Sequence, residues 1–199
     1  MKKKLLVALM LCFFLTGCTN LEKTDSLGTS QTEEILQTPT NTDLEHLYND
    51  YFYPVFLSSI SASTWNDPTE LSPNNFVDYY IATRYYQPGK ALERNTEQED
   101  IVSSQELEAF VFNHFDISSD FLKQADSYDP DKDIYVLGYL GGAASSKVVD
   151  IARNDDILTL SFEYYSPADE ITIIRTGTLN IQIENDGYKY ISCTSKEVE

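Results

Sequence analysis

The sequence predicts an α+β domain, with N-terminal helices followed by a four- to five-stranded antiparallel sheet. Three observations predict it. Apolar residues recur with a period near 3.6 from Leu44 to His114, the period changes to 2 after Asp133, and Asn154-Asp155 and Asn185-Asp186-Gly187 are turn signals between the later apolar runs. Helices followed by a run of strands imply a sheet covered on one face.

The first predicted helix opens at Thr42-Asp43-Leu44-Glu45, a capping box with Thr42 as N-cap. It continues through Leu47, Tyr48, Tyr51 and Val55, is kinked by Pro54, and resumes through Leu57 and Ile60 to a loop at Trp65. Ser72-Pro73 opens a second helix whose stripe is Phe76, Val77, Tyr80 and Ile81. Residues 89–102 form a charged loop. Ser103 and Glu106 cap a third helix bearing Leu107, Phe110, Val111 and His114, and a short turn follows at Phe121-Leu122.

Strands are expected at Ile134–Tyr139, Lys147–Arg153, Ile157–Tyr165, Ile171–Glu184 and Tyr188–Thr194. Leu158, Leu160, Phe162 and Tyr164 share one face. So do Ile171, Ile173, Leu179, Ile181 and Ile183, while Ile191 and Cys193 alternate with polar neighbours. The order of elements resembles the NTF2-like or cystatin-like class, in which a curved sheet wraps helices. That class hosts both enzymes and binding proteins, so the resemblance implies a fold and not an activity.

The N-terminus carries an address. Lys2, Lys3 and Lys4 precede the apolar run Leu5–Leu15, a basic region and short hydrophobic segment of the secretory type. The run is too short to span a bilayer, which needs about 20 residues. Leu15-Thr16-Gly17-Cys18 resembles the lipobox of bacterial lipoproteins. The resemblance implies a diacylglyceryl group on the Cys18 thiol and cleavage just before it, giving a lipid-anchored protein on the extracytoplasmic side of the cell membrane. Two acyl chains on one residue give stable attachment, at about 0.8 kcal/mol per buried methylene. Residues 1–17 are thus a signal peptide, 18–42 a lipidated cysteine and Thr/Ser/Asn/Gln-rich tether, and 43–199 one domain. Trp65…Leu71-Ser72-Pro73 and Asn185-Asp186-Gly187-Tyr188-Lys189-Tyr190 resemble segments of Gram-positive lipoproteins of unassigned function.

Charge narrows the partners. The formal net charge is −18, and loss of the three lysines with the signal peptide takes it to −21. Such a chain repels phosphate backbones, which excludes nucleic acid, and is not drawn electrostatically to anionic lipid. With Cys12 in the signal segment and Cys18 lipidated, Cys193 is left as a small buried hydrophobe.

No enzyme motif stands out. G-x-S-x-G, H-E-x-x-H, C-x-x-C, Walker A and G-x-G-x-x-G are missing, and the two histidines, His46 and His114, lack metal-ligand spacing, so no catalytic residue, metal or cofactor is expected. Asp129-Pro130-Asp131-Lys132-Asp133 has the D-x-D-x-D spacing of a calcium loop, but Ile134 and Leu140 replace the glycine and glutamate that such a loop needs. Gly138, Gly141 and Gly142 mark a connection between strands.

The tyrosine pairs Tyr79-Tyr80, Tyr85-Tyr86 and Tyr164-Tyr165 suggest that one ring of each faces a partner, and Tyr80, Tyr85 and Tyr164 are the candidates. Arg175 falls on the apolar phase of its strand, so either a bulge at Gly177 turns it out or it points into a ligand cavity. The leading expectation is a non-enzymatic domain that binds an envelope protein, wall glycan or small ligand. One alternative is an envelope enzyme, in which a carboxylate converges with His114 or Arg175. The other is an accessory subunit of an envelope complex, marked by an exposed apolar patch.

Overall fold

The computed structural model describes residues 40–86, 92–141 and 144–199; the expected signal peptide, lipobox and most of the tether lie outside them. Residues Thr38–Glu199 form one compact unit.

The fold is α+β, with several helices and two four-stranded antiparallel sheets. The larger sheet is the meander β5 (Ser145–Asn154), β6 (Ile157–Tyr165), β7 (Ile173–Glu184) and β8 (Gly187–Glu197). Its buried face carries Leu158, Leu160, Phe162 and Tyr164 as the alternation predicts, with Leu179, Ile181, Tyr190 and Cys193 beside them. On the other face Thr159, Asn180 and Ser192 are linked by hydrogen bonds of 2.7 and 2.9 Å, a polar ladder suited to water.

Bulges correct the expected phases. Ile174 is the extra residue between the Arg175–Tyr164 and Ile173–Tyr165 pairs, so the apolar phase breaks there and Ile171 is 78% exposed. In β8 the register skips Ile191, which puts Tyr190 in the core ahead of Cys193. The thiol of Cys193 is buried, and desolvation pushes it up to about 12.

The second sheet was not foreseen. The charged stretch expected to be a loop contains β1 (Glu93–Arg94) and β2 (Asp100–Ser103). They join β3 (Tyr128–Asp129) and β4 (Ile134–Leu137) in the order β1-β2-β4-β3. The strand expected at Ile134–Tyr139 thus belongs to this sheet and stops at Leu137. In the β3–β4 turn, Asp129 accepts the Asp131 and Lys132 N–H groups, and Asp133 accepts from Tyr128 and Lys123.

Helix α1 (Asn41–Leu47) is capped by Thr40 rather than Thr42, with Asp43 closing the capping box. A five-residue π-turn, Tyr48–Phe52, leads into α2 (Tyr53–Leu57). Ser59 ends α2 at φ 60°, and a 3-10 turn, Ile60–Ala62, precedes Trp65. Trp65 exchanges backbone hydrogen bonds of 2.8 and 2.9 Å with Cys193, so this loop adds a one-residue rung beside β8. Helix α3 (Pro73–Tyr86) starts at Ser72, whose Oγ accepts the Asn74 N–H. It buries more than the expected stripe, because Tyr79 and Ala82 are buried along with Phe76, Val77, Tyr80 and Ile81. Helix α4 (Ser104–Phe112) is capped by Ser103, and α5 (Ser119–Leu122) is one turn capped by Ser118.

Candidate ligand-binding cleft

Of the residues the sequence nominated, Tyr164 and Arg175 are paired across β6 and β7, whereas Tyr80 sits on α3. Tyr80 is buried, and its hydroxyl donates to Glu106 at 3.0 Å while accepting from Arg84 Nε at 3.2 Å. Burial, aided by Glu106, pushes that phenol up to about 12. Tyr164 is buried too, packed against Phe52, Phe56 and Phe162, with its hydroxyl 2.5 Å from Ser61 Oγ. The Tyr80 ring is not offered to a partner, because both pair members on α3, Tyr79 and Tyr80, are needed in the core, whereas Tyr164 reaches the wall of a small cleft of about 320 Å³. The side chain of Tyr85 lies outside the described residues.

Arg175 keeps its place on the inward phase, and the bulge lies at Ile174 instead of Gly177. Its guanidinium donates to the Ala62 carbonyl at 2.8 Å, Ser195 Oγ at 3.3 Å and Glu197 at 2.7 Å. These bonds tie the end of the 3-10 turn to the sheet, and Arg175 does not line the described clefts.

A different set of rings does meet. Tyr48, Tyr53, Phe110, His114 and Tyr188, all half-buried, line an open cleft of about 810 Å³ together with Asn49, Asp50, Pro54 and Thr83. The π-turn makes this wall. In an α-helix, residues five apart point about 140° from each other around the axis. Pro54 has no N–H to donate to the carbonyl four residues back, so a regular α-helical bond is unavailable there. The Tyr53 N–H instead reaches the Tyr48 carbonyl, five residues back. The wider turn brings the Tyr48 and Tyr53 rings to one side, with centroids 5.4 Å apart and planes tilted by 35°. Tyr48 is fixed from the sheet side, its hydroxyl 3.1 Å from Ser146 Oγ.

The opposite wall is set by β8 docking on the end of α4. Tyr190 N–H donates to the His114 carbonyl at 2.9 Å, and Lys189 Nζ donates to the Phe112 carbonyl at 2.9 Å and pairs with Asp116. A cation at a helix C-terminus is favourable. These bonds place the His114 ring 4.7 Å from Tyr188 and 5.2 Å from Phe110. Its Nδ1 is buried with no hydrogen-bond partner among the described residues. Desolvation lowers its pKa below the ordinary 6.5, opposed by the Tyr188 backbone and assisted by Lys189, so at neutral pH the imidazole is uncharged.

A concave, ring-walled cleft with a few polar groups at its mouth suits a ligand that has both flat apolar faces and hydroxyl or amide groups. Sequence periodicity missed it for a definite reason. Tyr48 and Tyr53 share no 3.6-residue stripe, and Tyr188 and His114 are brought together by tertiary contacts. The one available signal was Pro54 following an aromatic-rich helix end. Searches of family models, curated proteins and solved structures find no match to this chain.

Proposed function

We propose that the chain is an extracytoplasmic lipoprotein, cleaved before Cys18 and held to the cell membrane by a diacylglyceryl group on that cysteine, whose domain binds wall glycan in the aromatic cleft without transforming it. The anchor rests on the basic segment, the short apolar run and Leu15-Thr16-Gly17-Cys18. The binding role rests on one observation, the half-buried rings of Tyr48, Tyr53, Phe110 and Tyr188 around an open cleft. Sugar rings stack their apolar faces on such side chains, and Asn49, Asp50 and Thr83 are placed to meet their hydroxyls. A concave site favours a glycan chain over the flat surface of an envelope protein.

The test is co-sedimentation of residues 38–199 with peptidoglycan. The domain should pellet, and Tyr53→Ala should weaken binding about ten-fold, the loss of roughly 1.4 kcal/mol of ring contact. A domain that stays in the supernatant, or a Tyr53→Ala variant that pellets as wild type does, overturns the cleft assignment. Cys18→Ala should release the full chain from membranes; identical fractionation of wild type and variant overturns the anchor.

One observation favours the enzymatic alternative: Asp50 and His114 line the same cleft, so a carboxylate and an uncharged imidazole share one concavity. Release of soluble fragments from peptidoglycan, lost in His114→Phe, would replace the binding role with a hydrolytic one.

A further inference from the structure

A second cleft, of about 840 Å³, lies between one face of α3 and the end of β4. Asn74, Asp78 and Ile81 reach it at i, i+4 and i+7 of α3. Its floor is apolar, formed by Val77, Ile81, Val136 and Leu137.

Most of the carboxylates on its wall are engaged. Asp100 accepts from Arg94 at 3.0 Å, Glu99 from Asn95 at 2.7 Å and Asp126 from Asn74 at 2.8 Å. Asp78 differs. It is half-buried and makes no hydrogen bond or ion pair with the described residues. It also lines the adjoining smaller cleft, of about 320 Å³, so it stands where the two meet. On the same wall the Ser127 hydroxyl is buried without a hydrogen-bond partner among the described residues. Its Oγ has three staggered χ1 positions from which to meet a ligand group.

A desolvated carboxylate and an orphaned hydroxyl each carry a cost in the free protein. A ligand that supplies hydrogen-bond donors and positive charge removes both costs. Among the described residues no group of three or more His, Cys, Asp or Glu is placed to hold a metal ion. A single unengaged carboxylate above an aliphatic floor fits an organic cation better. The strongly negative chain also draws cations toward it.

We propose that this cleft binds a small primary alkylammonium cation, with the ammonium on Asp78 and Ser127 Oγ and the alkyl chain along Val77, Ile81 and Leu137. Tyr139, 84% exposed, stands at the mouth shared by both clefts and adds an aromatic edge for the cation.

The test is an NMR titration of residues 38–199 with n-butylammonium chloride, with n-butanol and potassium chloride as parallel probes. Saturable shifts confined to α3, Ser127 and Val136–Tyr139 are expected with n-butylammonium alone. Asp78→Asn should weaken binding at least ten-fold and Ser127→Ala about three-fold, both with the wild-type fold by near-UV circular dichroism. Equal binding of n-butanol, shifts scattered over the surface carboxylates, or unchanged affinity in Asp78→Asn would overturn the proposal. So would the absence of saturable shifts. The cleft is separate from the aromatic one, so failure here leaves glycan binding untouched.

Discussion

The ring of Phe162 fills the space that any side chain at Gly177 would need. The two residues are directly paired across β6 and β7, and a Cβ on Gly177 would sit 2.4 Å from Phe162 Cζ and 2.2 Å from the Thr194 carbonyl oxygen. Gly177→Ala should therefore cost about 3 kcal/mol by overpacking. At roughly 2–4 °C per kcal/mol, Tm should fall by about 6–12 °C. Adding Phe162→Leu should recover only part of the loss, because the backbone oxygen remains. Additive losses in the double variant would show that the ring is not the obstacle.

Arg175 is structural in this fold. Its exposed bond to Glu197, whose side chain is 79% exposed, is worth little, whereas its bond to the Ala62 carbonyl holds the 3-10 turn on the sheet. Arg175→Met should destabilise by about 1–2 kcal/mol in urea titrations, and Glu197→Gln by less than about 0.5 kcal/mol. Peptidoglycan binding should be unchanged in both, and a selective binding loss in Arg175→Met would restore it as a ligand contact.

The sheet was legible because its alternation is local. Leu158 to Tyr164 repeat every second residue, and every one of them is buried. The phases failed at Ile174 and Ile191, where a bulge inserts one residue with no mark in the polarity pattern. Of the second sheet only β4 was legible, because β1, β2 and β3 are two to four residues long in a charged or turn-rich stretch where no period registers. The cleft was hidden for a related reason. Half-buried rings and core rings are the same residue types, and only tertiary packing sorted Tyr80 and Tyr164 inward and Tyr53 and Tyr188 to an open wall.

Asp78 should make stability fall as pH rises. Desolvation raises its folded pKa above the ordinary 3.8, so between 3.8 and the raised value the folded state holds a proton that the unfolded state has lost. The penalty is absent below 3.8 and complete above the folded pKa. Asp78→Asn should be more stable than wild type at neutral pH, with the advantage vanishing in acid. Urea midpoints across that range check it, and a pH-independent difference would contradict it.

His114 acts in the opposite direction. Its folded pKa lies below 6.5, so just under that value the unfolded chain takes up a proton that the folded chain refuses, and stability falls as pH falls. His114→Phe keeps a ring against Tyr188 and removes the buried Nδ1. Its Tm advantage over wild type should grow as pH falls below 6.5 through the folded pKa. His46 is common to both chains, so the difference isolates His114.

Pro54 separates stability from binding. If its missing N–H holds the π-turn open, Pro54→Ala gives residue 54 a donor for the Asp50 carbonyl and lets Tyr48–Phe52 close to an α-helix. The Tyr48 and Tyr53 rings, now 5.4 Å apart, would then be carried to different sides of the helix. The helix preference of residue 54 should change stability by less than about 1 kcal/mol, since proline at the first turn of α2 is tolerated and alanine there is a good helix former, and loss of the Tyr48–Ser146 bond should cost about 1 kcal/mol more. Peptidoglycan affinity should nevertheless fall about as far as in Tyr53→Ala. Retained affinity with a lost π-turn, seen in the backbone amide shifts of residues 48–54, would mean that the ring pair is not the binding surface.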